Sequence, residues 1–205
     1  CGGGQTRTFA YDSLRRLSSA SYPELAGNTT SFTYDGNGNL TRKLSSGSPS
    51  LLVSYSYDSL NRLQTKDYSD GTTPPVTFCY DGKSWSGTIG GCSGSPTSPS
   101  IGRLTEVGSS VSRTSYAYNT AGLVTRSVQT TAGRSYAFGY TYNAAYKLAS
   151  QTFPSGRKLL IGYDDAGREI YLMGQFASVS KNYAGSSSSG IQYAPHGALS
   201  SMTMG

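Results

Sequence analysis

The sequence predicts an all-β fold, built as an antiparallel meander of tandem hairpins. Three observations predict it: a Tyr-Asp pair recurs along the chain, an aromatic or branched residue stands two positions before each Tyr, and turn-forming residues follow. The composition agrees, with 26 Gly, 17 Tyr and only 14% charged residues. Tyr and Thr suit a half-buried pleated surface, whereas Gly and Asn suit turns with positive φ.

The incoming strand of each hairpin is predicted to end at the repeated Tyr. A spacing of two places side chains on one face of a strand, so the residue two before the Tyr shares its face. The first four tyrosines follow one another at intervals of 23 residues. The strong copies are Tyr11-Asp12, Tyr34-Asp35, Tyr57-Asp58, Tyr80-Asp81 and Tyr163-Asp164, and the weaker copies are Tyr118-Asn119, Tyr142-Asn143 and Tyr193-Ala194.

The turn and the outgoing strand follow from the residues after the Tyr. Asp or Asn at plus one can accept backbone N–H bonds across the turn. Gly often stands at plus four, where it supplies a positive φ at little cost. An apolar residue stands at plus six in most copies and begins the outgoing strand, although Glu169 breaks this rule. Eight such units in series predict a long antiparallel meander.

A calcium loop is the alternative interpretation of one turn, FTYDGNGNL. Asp35, Asn37 and Asn39 alternate with glycines there, as calcium ligands do. The sister turns lack this spacing, and Arg42-Lys43 follow where a bidentate carboxylate would be needed. We therefore interpret DGNGN as the turn of one repeat and predict no metal.

The phrases TFAYDSLRRL, YDGNGNLTRK, YSYDSLNRLQ and YAPHGALSSM resemble the YD repeats of the RHS family. That family includes bacterial RHS proteins, the C components of insecticidal toxin complexes, and the teneurins. The resemblance covers about residues 5 to 205 and implies a curved sheet that spirals into a hollow shell, which encloses a toxic C-terminal domain in larger members. The plugging core segment, the aspartyl self-cleavage motif and a toxin domain have no counterpart in this sequence. We expect a segment of a much larger RHS-type shell, or a unit that assembles with copies of itself.

The domain organisation predicted is a single array over residues 1–205, with an inserted loop at about 83–101. The loop is rich in Gly, Ser and Pro and delays the Gly-Arg-Leu of the fourth repeat by about 18 residues. Cys92 lies in the loop and Cys79 lies just before the turn, so a disulfide is favoured in an extracellular setting, with two buried or free thiols as the alternative. Trp85 could stack on a sugar or pack back over its own loop; we favour the second.

Charge and hydropathy exclude two classes of partner. The net charge is +6, but Lys and Arg are spread singly rather than clustered, so we predict no nucleic-acid binding. No apolar run approaches the roughly 20 residues of a membrane helix, so we predict no transmembrane segment. The chain begins Cys1-Gly2-Gly3-Gly4, as a mature lipoprotein does, although a piece of a longer chain could begin the same way.

The inventory of reactive residues argues against an enzyme or a cofactor site. His196 is the only histidine and stands in the turn of the last repeat. No Gly-x-Ser-x-Gly elbow occurs, and the three Cys and one His lack zinc spacing. Gly82-Lys83-Ser84 ends like a P-loop, but Thr77 occupies the position of the required glycine. We predict no catalytic residue, no cofactor and no metal.

The function expected is structural, a β-scaffold segment of a large secreted or cell-surface bacterial RHS-type protein. The partners would be flanking repeats of the same chain, or copies of itself in a filament. One alternative is a binding surface for carbohydrate or another partner, which uses exposed aromatics. A further alternative is part of a cocoon that encapsulates a toxin.

Overall fold

The fold is almost entirely β in a computed structural model that describes residues 6–25, 28–185 and 190–204, so Cys1 lies outside the described residues. One short 3-10 helix, Pro23–Leu25, follows β2. No helix among the described residues has the length and apolar character needed to cross a membrane. The strands are β1 Thr8–Tyr11, β2 Leu17–Ser21, β3 Thr29–Tyr34, β4 Leu40–Ser45, β5 Leu51–Tyr57, β6 Leu63–Tyr68, β7 Val76–Tyr80, β8 Ser84–Trp85, β9 Cys92–Ser93, β10 Leu104–Gly108, β11 Ser112–Tyr118, β12 Val124–Thr131, β13 Arg134–Tyr142, β14 Leu148–Thr152, β15 Lys158–Tyr163, β16 Glu169–Phe176, β17 Val179–Gly185, β18 Gln192–Tyr193 and β19 Leu199–Ser201.

The strands pair in sequence order, which is what a meander requires. One sheet of 15 strands runs from β1 to β7, then from β10 to β17, and two small hairpins, β8–β9 and β18–β19, form sheets of their own. Neighbouring strands are antiparallel, as in β3 against β4 and β15 against β16. The predicted all-β antiparallel meander of repeat hairpins is therefore confirmed.

A β-bulge accompanies the repeated Tyr in hairpin after hairpin. In β3–β4, Tyr34 pairs with Leu40 and Thr33 pairs with Arg42, so Thr41 is the extra residue. The same shift occurs next to Tyr11, Tyr57, Tyr142, Tyr163 and Tyr193. Residues that pair directly across two strands point to the same side of the sheet. The Tyr and the residue at plus six therefore lie on one face, which we name the tyrosine face.

The chain divides into two units. The first comprises residues 1–96 and 102–113, and the second comprises residues 97–101 and 114–205. Within the first unit, hairpins β1–β2, β3–β4 and β5–β6 are followed by β7 and β10, which enclose the inserted loop. Within the second unit the hairpins continue from β12 to β17.

The eighth hairpin departs from a continuous meander. β18 and β19 pair with each other and not with the large sheet. Gly185 ends β17 with a φ of 62°, and its N–H donates to the carbonyl of Thr203 at 2.7 Å. A positive φ turns the chain out of the extended path, so the last repeat leaves the ladder while staying attached to β17.

Little of the described chain is buried. The buried hydrophobic side chains are Ala20, Val53, Cys79 and Ala184. The largest side chains with almost no exposed surface are those of Thr77 and Cys79. Thr77, Thr105 and Glu106 are the buried polar side chains, and most of the remaining sheet residues are half-buried or exposed. The fold therefore depends on contacts between neighbouring strands more than on a core between two layers.

Candidate functional site

The repeated tyrosines hold each hairpin to the one before it. Six of the eight repeated tyrosines donate their hydroxyl to the backbone carbonyl of the plus-six residue of the preceding repeat. The bonds are Tyr34 to Leu17 (2.9 Å), Tyr57 to Leu40 (2.9 Å), Tyr80 to Leu63 (2.9 Å), Tyr142 to Val124 (2.8 Å), Tyr163 to Leu148 (3.0 Å) and Tyr193 to Glu169 (2.9 Å). Tyr11, in the first repeat, is 62% exposed. The tyrosine is thus a link between repeats as well as an anchor of its own strand.

The exception at Glu169 is explained by this bond. The acceptor is a main-chain carbonyl, which every residue carries, so the side chain at plus six does not need to be apolar for the link to form. Tyr193 bonds to Glu169 as Tyr57 bonds to Leu40, at the same 2.9 Å. The sequence rule at plus six therefore concerns packing, whereas the link itself depends on backbone position.

Basic side chains lie over the rings of these tyrosines. The residue at plus five of one repeat reaches the Tyr of the next repeat, where a cation is attracted by the ring face. The distances to the ring centroid are 4.6 Å for Arg16 on Tyr34, 4.3 Å for Arg62 on Tyr80, 5.4 Å for Lys147 on Tyr163 and 4.8 Å for Arg168 on Tyr193. The basic residues of the repeat therefore connect neighbours, and they are not an isolated surface charge.

The carboxylate at plus one closes the turn in the way the sequence suggests. Asp12 Oδ1 accepts the backbone N–H groups of Leu14 and Arg16, each at 2.9 Å, and its Oδ2 accepts Arg16 Nε at 2.7 Å. Asp58 and Asp164 bond the same way, and Asn119 and Asn143 use an amide oxygen instead. The hydrogen bond from the backbone N–H of Arg16 is the largest cause of the lowered pKa of the Asp12 carboxyl.

Asp35, the residue of the calcium alternative, takes part in the same kind of turn. Its Oδ1 accepts the N–H groups of Asn37 (3.0 Å) and Asn39 (2.8 Å), and its Oδ2 accepts Asn39 Nδ2 at 3.0 Å. The Asn39 amide is the largest cause that lowers the pKa of the Asp35 carboxyl. Within the described ranges, no group of three or more His, Cys, Asp or Glu is placed to hold a metal.

The fourth turn keeps its closure although a loop is inserted into it. The N–H of Asp81 donates to the carbonyl of Arg103 at 3.0 Å, as Asp12 donates to Arg16 elsewhere. Asp81 accepts Gly102 N–H at 2.7 Å and pairs with Arg62 through bonds of 3.0 and 2.8 Å. Arg62 thereby lowers the pKa of Asp81 to about 2, and the Asp81 carboxylate raises the pKa of Arg62.

The inserted loop forms a small flap, residues 83–94, against the first unit. Cys92 in β9 is joined to Cys79 in β7 by a disulfide, with Cα atoms 5.6 Å apart. Trp85 Nε1 donates to the carbonyl of Thr88 at 2.7 Å, inside the flap. The Trp85 ring covers Gly108 of β10 so closely that a Cβ there would be 2.6 Å from it. Trp85 therefore packs on its own loop and on the sheet.

Four features of this arrangement were not predicted from the sequence. The hydroxyl acceptors and the bulges depend on pairing between strands, which a repeat pattern does not specify. Three glycines, Gly108, Gly162 and Gly174, lie under the aromatic rings of Trp85, Tyr171 and Tyr183. A turn at Phe153-Pro-Ser-Gly-Arg157 closes like the others, with Phe153 N–H donating to Arg157 at 2.8 Å. Its Gly-Arg pair was the available signal.

Comparisons with known proteins identify the fold. No protein-family model matches the chain, and no curated protein matches it. The Photorhabdus luminescens Tc holotoxin pore is similar with a TM-score of 0.67 and 14% identity, over 97% of this chain and 11% of that one. TcdB2-TccC3 without its hypervariable C-terminal region is similar with a TM-score of 0.65 and 13% identity, over 95% of this chain and 11% of that one. The TcdB2-TccC3-Cdc42 structure gives a TM-score of 0.59 with 13% identity and the same coverage.

These matches share the meander and little of the sequence. At 13–14% identity they establish the fold alone. This chain spans 11% of the length of each of those chains. The fold is therefore one that occurs as a small part of much larger Tc toxin chains.

Proposed function

We propose that the chain is a structural scaffold, one stretch of wall in a large RHS/YD-repeat protein that is secreted or displayed on the cell surface. The observation that supports it best is the series of hydroxyl-to-carbonyl links from Tyr34 to Tyr193. The hydroxyl links and the cations stacked at Tyr34, Tyr80, Tyr163 and Tyr193 join neighbouring hairpins, and the turn carboxylates close the turns. Because these groups are used in contacts within and between hairpins, we propose a structural role and no catalytic role.

The likeness to Tc toxin structures favours a toxin-related wall over the other scaffolds. The Tc holotoxin pore and TcdB2-TccC3 chains contain this fold as 11% of their length. A cocoon that encloses a polypeptide would need many more hairpins than this chain has. We propose that the 15-stranded sheet is a section of such a wall, with repeats of the same protein as its partners. A filament of copies is the alternative assembly.

A carbohydrate surface made of the repeat tyrosines is less well supported. Sugar rings bind on the flat faces of aromatic side chains, and those faces are occupied by cations at Tyr34, Tyr80, Tyr163 and Tyr193. The hydroxyls of the same tyrosines are bonded to backbone. Tyr11 alone among the repeat tyrosines has a mostly exposed ring.

Cryo-electron microscopy of the full natural polypeptide, expressed with whatever sequence flanks this chain, tests the scaffold role. We expect hairpins of further repeats on both edges of the sheet and a closed wall around a lumen. A sheet that stands alone with both edges in solvent would overturn the proposal. Copies of the chain stacked edge to edge would instead establish the filament, and saturable binding on a glycan array, lost in Tyr11→Ala, would establish the carbohydrate surface.

A further inference from the structure

The flap lies over the best-buried polar cluster of the first unit. Strand β10 pairs with β7 so that Glu106 faces Cys79 and Gly108 faces Thr77. The flap is joined to Cys79 by the disulfide, and its Trp85 covers Gly108. Glu106 stands between these two points on the same face, because side chains alternate along a strand. The flap therefore covers Glu106.

The covered carboxylate is poorly compensated. Glu106 is 5% exposed, and its Oε1 has no hydrogen-bond partner in the described part of the chain. The closest cation is Arg113, whose Nη1 lies 3.9 Å away and whose side chain is 55% exposed. A buried carboxylate without full hydrogen bonding disfavours the state that buries it. Closure of the flap thus occurs against a local electrostatic cost.

The flap has few non-covalent contacts with which to offset that cost. Gly90 N–H donates to Thr77 Oγ1 at 2.9 Å, and Thr105 Oγ1 donates to the carbonyl of Lys83 at 2.7 Å. Its sequence, KSWSGTIGGCSG, holds two large apolar residues, Trp85 and Ile89, and Ile89 is 58% exposed. Gln64 Nε2 lies 3.5 Å from the carbonyl oxygen of Gly90, and the Trp85 ring packs on Gly108. The disulfide is the one covalent tie between the flap and β7 in the described part of the chain.

We propose that the Cys79–Cys92 disulfide is a redox latch that holds the flap closed over Glu106 and releases it in a thiol-reducing environment. This inference is independent of the scaffold proposal. Cys79 is fully buried and Cys92 is half-buried, so an external thiolate attacks the Cys92 sulfur. The S–S bond breaks, Cys79 leaves as a thiolate and takes a proton, and a second thiol resolves the mixed disulfide. The protein disulfide gains two electrons and two protons, and the two thiols become a disulfide.

Release would expose the carboxylate, both thiols and the indole while the large sheet stays folded. Through β8 and β9 the flap contacts β7 and β10. These two strands pair with each other and with β6 and β11, and none of those pairings includes a flap strand. The tyrosine links lie on the other face and do not use the disulfide. The latch would therefore change a patch of surface without dismantling the array.

Trp85 makes the test direct, because it is the only tryptophan. The 205-residue chain is folded oxidised, then treated with dithiothreitol, and tryptophan emission, chymotryptic cleavage after Trp85 and far-UV circular dichroism are followed. We expect a red-shifted emission and cleavage faster by on the order of 100-fold, the population change that closing a loop of this length gives. The circular dichroism should stay constant, and reoxidation should restore the emission.

Glu106→Gln is the matched variant, because it keeps the shape and removes the charge. We expect its reduced form to stay closed more often than reduced wild type, with a smaller emission shift and slower cleavage. Reduced wild type that keeps its emission and protease resistance would overturn the latch. Loss of the circular dichroism on reduction would also overturn it, because the disulfide would then hold the fold itself. Equal opening in reduced Glu106→Gln would remove the role of the carboxylate.

Discussion

At the scale of the residue, the repeated tyrosine has two roles, one for its ring and one for its hydroxyl. The tyrosine packs its ring on its own face of the sheet and donates to the backbone of the previous hairpin. The recurrence of Tyr could be read from the sequence, because its spacing of 23 residues is visible. Its partner could not, because a carbonyl oxygen leaves no signature in the sequence. The sequence pattern therefore identifies the hydrogen-bond donor and not its acceptor.

Removing one hydroxyl measures the link. Tyr57→Phe keeps the ring and deletes the bond to Leu40, and we expect the free energy of unfolding to fall by about 1 kcal/mol. Tyr55→Phe, two residues earlier on the same strand, is the control, because it removes a hydroxyl from the same face of β5 and leaves the link from Tyr57 to Leu40 in place. Urea unfolding of both variants tests this, and equal losses would mean that the hydroxyl bond contributes nothing.

The position four residues after the repeated Tyr has a positive φ even where the residue is not a glycine. Its φ is positive at Gly38, Gly122, Gly167 and Gly197, as the glycines indicate. It is also positive at Arg15 (60°), Asn61 (58°) and Tyr146 (60°). The turn therefore imposes the left-handed conformation on whichever residue stands there, because its hydrogen bonds fix the geometry.

Tyr146→Gly should therefore stabilise the chain. Tyr146 is 66% exposed, so little packing is lost, and relief of the left-handed conformation is worth about 1 kcal/mol. Gly122→Ala, at the matching position of the neighbouring repeat, should destabilise it by a similar amount. Thermal unfolding of the two variants gives the comparison; a loss of stability in Tyr146→Gly would refute the strain argument.

At the scale of the element, glycine and an aromatic residue pair across strands. Gly162 of β15 lies opposite Tyr171 of β16, and the ring occupies the space where a Cβ would stand. The repeat pattern in the sequence does not single out Gly162. Its role depends on register, since a bulge beside Tyr163 sets which residue faces Tyr171.

Gly162→Ala should destabilise the β15–β16 hairpin by about 1–3 kcal/mol, because the Tyr171 ring has to move. Gly139→Ala in β13 is the control, because its Cβ would meet Thr152 at 3.6 Å, an ordinary contact. We expect that variant to be neutral or slightly more stable. The double variant Gly162→Ala/Tyr171→Ala, measured in the same urea series, should recover part of the loss; if it does not, the clash is not the cause.

The Arg62–Asp81 pair joins two successive turns and gives a pH dependence. The pKa of Asp81 is lowered to about 2, below the value of about 3.9 expected in the unfolded chain. A lowered folded-state pKa contributes stability above about pH 4 that is lost as the pH falls toward 2. We expect Asp81→Asn to be less stable at pH 7 and to lose less stability than wild type between pH 4 and pH 2. Urea unfolding of wild type and Asp81→Asn at pH 7, 4 and 2 tests this, and equal losses of stability between pH 4 and pH 2 would refute the role of the pair.

At the scale of the whole molecule, the exposed area is large for the mass. The chain exposes 12671 Å² at 21.6 kDa. A compact protein of this mass would expose about 9,200 Å², and two separate domains of half the mass about 11,000 Å². The folded chain thus hides about 60% of its unfolded surface, the fraction typical of a domain of about 60 residues. The alternation of residues predicts half-buried strands, but the sequence of one repeat does not specify what covers either face of the sheet.

Because the urea m-value scales with the surface exposed on unfolding, it should be small here. We expect the m-value of this chain to be clearly below that of a compact protein of 205 residues measured in the same buffer. Disulfide-intact chain is used, so that the latch stays closed in both states. An m-value equal to that of the compact reference would mean that the chain buries further surface in solution, for instance by association.

Because the tyrosine link ends on a main-chain carbonyl, it also affects how the number of hairpins in such a protein can change during evolution. A hairpin that docks on any carbonyl at the right place needs no matching partner side chain on its neighbour. Copying or deleting one hairpin at the genetic level would leave two compatible surfaces in contact. Growth by duplication therefore requires no compensating substitutions at the new junction, and members of such a lineage can differ by whole hairpins.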